Sequence, residues 1–91
     1  MTVIPSSEFN KSIKKLTDTI ARNRLSKLVK KLEEAQSLDE ISHVVPIINY
    51  PSLYRISTGD FRLIVKYFRG SIEILLVEYL RRNEKTYRKY N

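Results

Sequence analysis

Residues 53–79 read LYRISTGDFRLIVKYFRGSIEILLVEY, and this stretch decides the fold. Apolar and aromatic residues recur in it with the period of two that is typical of strands. The three predicted strands are Leu53–Ser57, Phe61–Tyr67 and Ser71–Tyr79. Each of the two breaks between them contains a glycine, Gly59 or Gly70, which suits a tight turn. The pattern predicts a three-stranded antiparallel meander.

Side-chain alternation assigns the residues of this meander to two faces, provided that both turns keep the register of a two-residue hairpin. The expected cross-strand pairs are then Ser57–Arg62, Arg55–Ile64, Lys66–Glu73 and Arg62–Val77. One face is predicted to form the core, with Tyr54, Ile56, Phe61, Leu63, Val65, Ile72, Ile74 and Leu76. The opposite face collects Arg55, Ser57, Arg62, Lys66 and Glu73, with Ile64, Leu75 and Val77 among them. A three-residue turn would reverse this pairing.

The first half of the chain predicts two helices that cover the core face. A short edge strand over residues 1–4 ends at Pro5, and Ser6 or Ser7 suits a helix N-cap. Phe9, Ile13, Leu16 and Ile20 recur at helical spacing, and Asn23 is a plausible cap for a second basic amphipathic helix. The predicted helices form a hairpin. Residues 37–40 suit one further turn, 44–52 a loop or short strand, and 80–91 a short helix or ordered tail. The fold class is α+β, in a single domain over residues 1–91.

Composition narrows the classes of function. The 91 residues include no cysteine, which excludes disulfide scaffolds, thiolate metal sites and cysteine nucleophiles. No run is apolar and long enough to span a membrane, and the first residues do not resemble a signal peptide, so a cytoplasmic protein is expected. The formal net charge is +7, and residues 79–91 carry five bases against one acid. A polyanionic partner is expected, either nucleic acid or an acidic protein, although a basic surface that serves only solubility is the simpler alternative.

Catalytic motifs that need a metal or a nucleotide are absent from the sequence. The one histidine, His43, lies in a loop-like segment, and no metal-ligand spacing, P-loop or dinucleotide-binding motif is present. The remaining candidates for catalytic groups are arginine and tyrosine side chains. Arginine presents a rigid fork of donors to phosphate oxygens, and fixed cations stabilise charge that develops at phosphorus. An RNA 2′-hydroxyl is able to attack its own 3′-phosphate with help in alignment and proton transfer, so no metal or other cofactor is expected.

Several segments together resemble one known family. The block Tyr54–Leu63, YRISTGDFRL, is similar to the central signature of the RelE/ParE toxin superfamily, in particular its RelE-like branch. The FNKSIKKL helix at 9–16, the SLDEI segment at 37–41 and the closing arginines with Tyr87 also match in order and spacing. The resemblance implies a strand, a helical hairpin and a curved antiparallel sheet. It departs at residues 52 and 53, where Ser52 and Leu53 stand in place of a lysine pair.

The resemblance also implies a function. The chain would be the toxin of a type II toxin–antitoxin pair, a metal-independent endoribonuclease that cleaves mRNA in the ribosomal A site. Its partners would be a cognate antitoxin, the ribosome and mRNA. Two alternatives remain open: a ParE-like inhibitor that binds DNA gyrase without catalysis, and a degenerate toxin that binds only RNA or an antitoxin.

Site residues follow from the same resemblance. Arg62 is expected to contact the scissile phosphate and Arg55 the RNA backbone, while Tyr87 would assist 2′-hydroxyl activation and Arg81 leaving-group protonation. The other residues expected to contact RNA are Lys66, Arg82, Lys85 and Arg88. Structural roles are the alternatives: Arg55 and Arg62 flanking the turn and pairing with Asp60 or Glu73, Tyr87 packing the tail, and Arg81 and Arg82 left in solvent or bound only by an antitoxin.

Overall fold

The computed structural model describes the backbone of residues 1–90 and all their side chains except those of Lys85 and Thr86. Two helices pack on one face of an uncurled five-stranded sheet, which confirms the predicted α+β class. The elements are β1 Thr2–Pro5, α1 Ser7–Lys14, α2 Thr19–Glu34, β2 Val44–Pro46, β3 Leu53–Thr58, β4 Phe61–Lys66 and β5 Glu73–Arg81. A 3-10 turn covers Leu38–Glu40, and a 3-10 helix, here called the tail helix, covers Lys85–Tyr90.

The strand order is β1-β5-β4-β3-β2, with the predicted meander at its centre. The expected sheet was curved and antiparallel, whereas the sheet is uncurled. It is also mixed, because β1 pairs in parallel with β5. Helices α1 and α2 follow β1 and lie on one face of the sheet, before the chain enters β2 and the meander. A four-residue strand gave no sequence signal for its partner or its direction.

Helix boundaries differ from the prediction at one place. Ser6 caps α1 as expected, since its side chain accepts a hydrogen bond from Phe9 N at 3.0 Å. However, α1 ends at Lys14, and α2 begins before Asn23, which lies inside the helix. Asp18 is the cap, because its carboxylate accepts from Ala21 N at 3.0 Å and its negative charge suits the helix N-terminus.

The register between β3 and β4 is the predicted one, whereas the register between β4 and β5 is not. Gly59 has a φ of 62°, and the Ser57–Arg62 and Arg55–Ile64 pairs are confirmed. Lys66 pairs with Leu75 instead of Glu73, and Arg62 pairs with Leu80 instead of Val77. Two causes add up: six residues separate β4 from β5, and a β-bulge follows, since Ile64 pairs with residue 78 and Val65 with residue 76.

The bulge decides where the last side chains of β5 point. Val77 has no partner in the β4 register, so Val77 and Glu78 face the same side and the alternation after them is shifted by one residue. The face that packs against the helices is here called the helix face, and the other is called the tail face. Tyr79 and Arg81 consequently lie on the helix face, where Tyr79 stacks on Phe61 with ring centroids 5.0 Å apart.

Two apolar clusters lie on the two faces of the sheet. The larger one joins the helices to the helix face, and its side chains Leu32, Leu63 and Ile74 are almost wholly buried. Burial of such a side chain stabilises the fold by about 1.5–3 kcal/mol. The smaller cluster lies under the tail helix and contains Ile47, Ile64, Leu80, Tyr87 and Tyr90. The predicted core face is correct except at Ile72, which is exposed because it precedes β5 in the turn.

Candidate functional site

Three of the four predicted catalytic side chains lie together on the tail face. Arg55 on β3 and Arg62 on β4 are diagonal neighbours, because Arg55 pairs with Ile64 and Ser57 with Arg62. Such diagonal neighbours lie about 7–8 Å apart at the backbone. Both are partly buried. Tyr87 reaches the same place from the tail helix, where Arg55 Nη1 donates a hydrogen bond to Tyr87 Oη at 3.0 Å.

The tail helix holds Tyr87 in position through packing. Tyr87 is only 4% exposed and belongs to the smaller cluster with Ile64 and Leu80. Its ring also lies 6.4 Å from that of Tyr90, at an interplanar angle of 51°. The ring is therefore fixed by apolar contacts, while the hydroxyl reaches the guanidinium of Arg55. That oxygen accepts from Arg55 and still carries its own O–H for a second partner.

Arg62 is oriented by the turn beside it. Its Nη1 donates to the carbonyl oxygens of Gly59 and Phe61, each at 2.8 Å. A guanidinium has five N–H donors, and the edge formed by Nε and Nη2 is the one that suits bidentate contact with a phosphate. The partners of Nη1 are therefore two backbone carbonyls, and not the carboxylate of Asp60 that was considered as an ion-pair partner.

Arg81 lies apart from this group. Its guanidinium is 3.8 Å from the Asp18 carboxylate and lies over the Phe61 ring, 4.8 Å from the centroid, on the helix face. The expected convergence of Arg81 with Tyr87 is therefore not found, because the bulge in β5 turns residue 81 to the other side. The neighbouring Arg82 follows the last residue of β5, is exposed, and donates its backbone amide to Asp60 O at 2.9 Å.

The remaining residues expected to contact RNA are spread along the tail face. Lys66 is exposed at the far end of β4, about 13 Å from Arg62 along the strand, and its Nζ lies 5.6 Å from the Phe68 ring centroid. Arg88 is exposed on the tail helix. The side chain of Lys85 lies outside the described residues.

Sequence reasoning missed the contact that fastens the tail helix. Glu78 is 9% exposed and accepts hydrogen bonds from Tyr90 Oη and from Lys89 Nζ, the latter at 2.6 Å. Burial, and then the hydrogen bond to Glu78, raise the pKa of Tyr90 above its ordinary value. The alternating pattern places Glu78 on the helix face, and only the bulge brings it under the tail. No sequence signal marks that bulge.

Groups that could ligate a metal are not clustered in the part of the chain that the structure describes. No three histidine, cysteine, aspartate or glutamate side chains come together there. Neither α1 nor α2 is long and apolar enough to cross a bilayer. The side chains that come together at the site are two guanidinium groups and a phenol.

Comparison with known proteins identifies the fold. No protein-family model and no curated protein sequence matches the chain. Among solved structures, a chain of the RelB–RelE antitoxin–toxin complex from Methanococcus jannaschii matches with a TM-score of 0.78 and 19% identity, over 97% of this chain and 99% of that one. The intact RelBE complex of E. coli matches with a TM-score of 0.67 and 14% identity, over 91% of this chain and 98% of that one.

The isolated E. coli RelE toxin gives the same TM-score of 0.67 and 14% identity, over 97% of this chain and 92% of that one. The alignments cover nearly all of each chain, so the similarity extends over both the helices and the sheet. Identity at this level speaks for the backbone and not for the side chains of a site. The chain has the fold of the RelE toxins.

Proposed function

We propose that this protein is the toxin of a toxin–antitoxin pair and that it cleaves mRNA on the ribosome. The observation that carries the proposal is the hydrogen bond between Arg55 and Tyr87, with Arg62 beside it on the same face. The RelE-like fold supports the toxin role, and two of the matching structures are complexes with an antitoxin. A cognate antitoxin is the partner proposed here, together with the ribosome and mRNA.

The proposed reaction is an intramolecular transesterification that cuts the RNA chain at one phosphodiester. The 2′-oxygen forms a bond to the adjacent phosphorus, the bond to the 5′-oxygen of the next nucleotide breaks, and a 2′,3′-cyclic phosphate remains. One proton leaves the 2′-hydroxyl and one reaches the departing 5′-oxygen. The protein must align the 2′-oxygen, the phosphorus and the departing 5′-oxygen. It must also offset the added negative charge on the phosphorane and assist the two proton transfers.

Each side chain of the group suits one of these tasks. Arg62 offers its Nε and Nη2 edge to the non-bridging oxygens of the scissile phosphate, since Nη1 is already held by the turn. Tyr87 assists proton transfer at the 2′-hydroxyl, and Arg55 orients the phenol through the 3.0 Å hydrogen bond. Arg82, in place of Arg81, offsets charge on the departing oxygen, because Arg81 lies beside Asp18 on the helix face.

Cleavage of mRNA on programmed ribosomes tests the proposal, with the cut located by primer extension. Arg62→Ala should lower the cleavage rate by about 10²–10³-fold, the usual effect of removing one group that stabilises the transition state. Arg69→Ala is the matched control, because it removes the same charge from the exposed β4–β5 turn. A 2′-deoxy substitution at the nucleotide before the cut should abolish cleavage and leave binding intact.

Other results would assign another function. Equal cleavage by the wild-type protein and Arg62→Ala would reject the site. Inhibition of DNA gyrase in a supercoiling assay, with no cleavage of RNA, would replace the nuclease with the non-catalytic ParE-like activity. Toxicity absent on induction in a bacterial host, with RNA binding retained, would indicate a protein that binds without chemistry.

A further inference from the structure

A groove on the helix side of the molecule is lined by cations that the proposed reaction does not use. It lies between α2 and the neighbouring ends of β2 and β3, and its volume is about 630 Å³. Arg24, Lys27 and Lys31 of α2 form one wall, and all three are exposed. The opposite wall includes His43 and Ser57. Lysine and arginine side chains on one wall of a groove raise the local positive potential.

The spacing of these cations suits a phosphate backbone. Residues 24, 27 and 31 follow one side of α2 at intervals of three and four, so their side chains form a row. The row is about 10 Å long, because a helix rises about 1.5 Å per residue. Three nucleotides stacked at about 3.4 Å each cover the same length.

The groove continues to the candidate site around the β3–β4 turn. Arg24 lies against this turn so closely that a β-carbon at Gly59 would overlap its guanidinium. Arg62 holds the same glycine through its carbonyl oxygen, at 2.8 Å. Ser57 lines the groove and is also the cross-strand partner of Arg62. Cations therefore follow one another from the tail face to α2 with only this short turn between them.

The floor of the groove distinguishes RNA from an amphipathic protein segment. Two of its apolar residues are already covered, since Leu28 is 8% exposed and Ile56 is 1% exposed, whereas Ile41 is partly exposed. Leu28 and Ile56 would give a docked helix little apolar contact, although apolar contact is what such helices require. Ser42 is exposed at the rim, and its hydroxyl suits phosphate or ribose oxygens. The acidic Glu34 and Glu40 also line the groove, and Glu34 lies in the last turn of α2, ten residues from Arg24 and three residues from Lys31.

We propose that this groove binds the phosphate backbone of single-stranded RNA that flanks the nucleotide at the candidate site. Lys27 and Lys31 contact phosphates of the same strand, and Arg24 guides the strand past the Gly59 turn. The inference depends on the proposed function only for the direction in which the RNA strand runs from the candidate site. Binding in the groove needs no cleavage, so the two ideas are separable by experiment.

The test measures binding of a 2′-O-methyl oligouridylate, which resists 2′-hydroxyl attack. Fluorescence anisotropy gives Kd for an oligonucleotide of about 12 residues at salt concentrations from about 50 to 300 mM. The variant Lys27→Ala/Lys31→Ala should bind more weakly, and the slope of log K against log salt should fall by about 1.4, or about 0.7 for each lost contact. Lys14→Ala/Lys30→Ala is the matched control with the same change in net charge, and it should keep the wild-type slope.

Several outcomes would overturn the inference. Equal slopes for the wild type and Lys27→Ala/Lys31→Ala would remove the groove as an RNA site. An equal fall in both double variants would show that charge acts diffusely over the surface. The same titration is made with a labelled polyglutamate peptide. If Lys27→Ala/Lys31→Ala kept its binding of RNA but lost its binding of polyglutamate, the groove would be assigned to an acidic protein segment. By contrast, the expected slopes together with no cleavage on ribosomes would refute the proposed nuclease and leave the groove standing.

Discussion

Replacement of Tyr87 by phenylalanine separates chemistry from packing at the proposed site. The ring is 4% exposed and packs with Ile64 and Leu80, and phenylalanine keeps all of those contacts. The change removes one hydroxyl and its 3.0 Å hydrogen bond from Arg55, which costs about 1 kcal/mol of folding free energy. A domain with about 5 kcal/mol of stability then stays more than about 99% folded.

The expected effect on the reaction is much larger. Loss of a group that transfers a proton slows a reaction by about 10²–10⁴-fold, which is about 2.7–5.5 kcal/mol in the activation free energy. The assay is single-turnover cleavage of mRNA on ribosomes, alongside urea unfolding of the same preparations. A rate for Tyr87→Phe within about threefold of the wild type would show that the phenol only packs the tail, and the mechanism would have to be abandoned.

Tyr90→Phe is the matched control, because it removes a tyrosine hydroxyl from the same tail helix. Its hydroxyl donates to the buried Glu78, so this variant should lose about 1–3 kcal/mol of stability. Its cleavage rate at a temperature where it remains folded should change by less than about tenfold. The pair thus predicts opposite rankings: Tyr87→Phe is the slower enzyme, and Tyr90→Phe is the less stable protein.

Two further predictions concern β5 and the tail. Arg82→Ala should reduce cleavage at least about tenfold more than Arg81→Ala, since Arg81 lies beside Asp18 on the helix face, away from Arg62 and Tyr87. Rate constants for the two single variants on ribosomes decide this, and the reverse order would contradict the assignment. The raised pKa of Tyr90 means that the folded protein holds this proton more tightly than the unfolded chain. The stabilisation is complete below the ordinary pKa of 10.0 and is lost as the pH rises above it. Urea unfolding should therefore show the stability difference between the wild type and Tyr90→Phe shrinking by about 1 kcal/mol between about pH 9 and pH 11, with allowance for solvent screening; a constant difference would show that Tyr90 is not linked to the proton.

Local patterns predicted the part of the sheet that local contacts determine. The two-residue turn at Gly59 fixes the register of β3 and β4, so Arg55 and Arg62 could be placed on one face from the sequence. The 3.6-residue period predicted both helices, although it could not distinguish Asp18 from Asn23 as the cap. In each correct case, the information lies within a few residues of the element concerned.

The rest depends on contacts between distant segments. The parallel pairing of β1 with β5 joins residues about 70 positions apart, and no local pattern encodes it. The bulge at residues 77 and 78 changes the register of β5 with β4, and it also places Glu78 under the tail helix. Because of it, Arg81 could not be placed from the sequence, and the buried contact of Glu78 with Tyr90 was missed. The position of Tyr87 depended on the family resemblance, since its segment has no periodicity of its own.

The same bulge has a consequence for how structures with this fold should be aligned. Two arginines stand next to each other in the sequence, and a single extra residue upstream places the first of them on the helix face, beside Asp18. In a protein with this fold that lacked the insertion, the residue at the position of Arg81 would face the opposite side of the sheet without any change of amino-acid type. Equivalent positions are therefore better judged by counting from the irregularity in the strand than by matching letters.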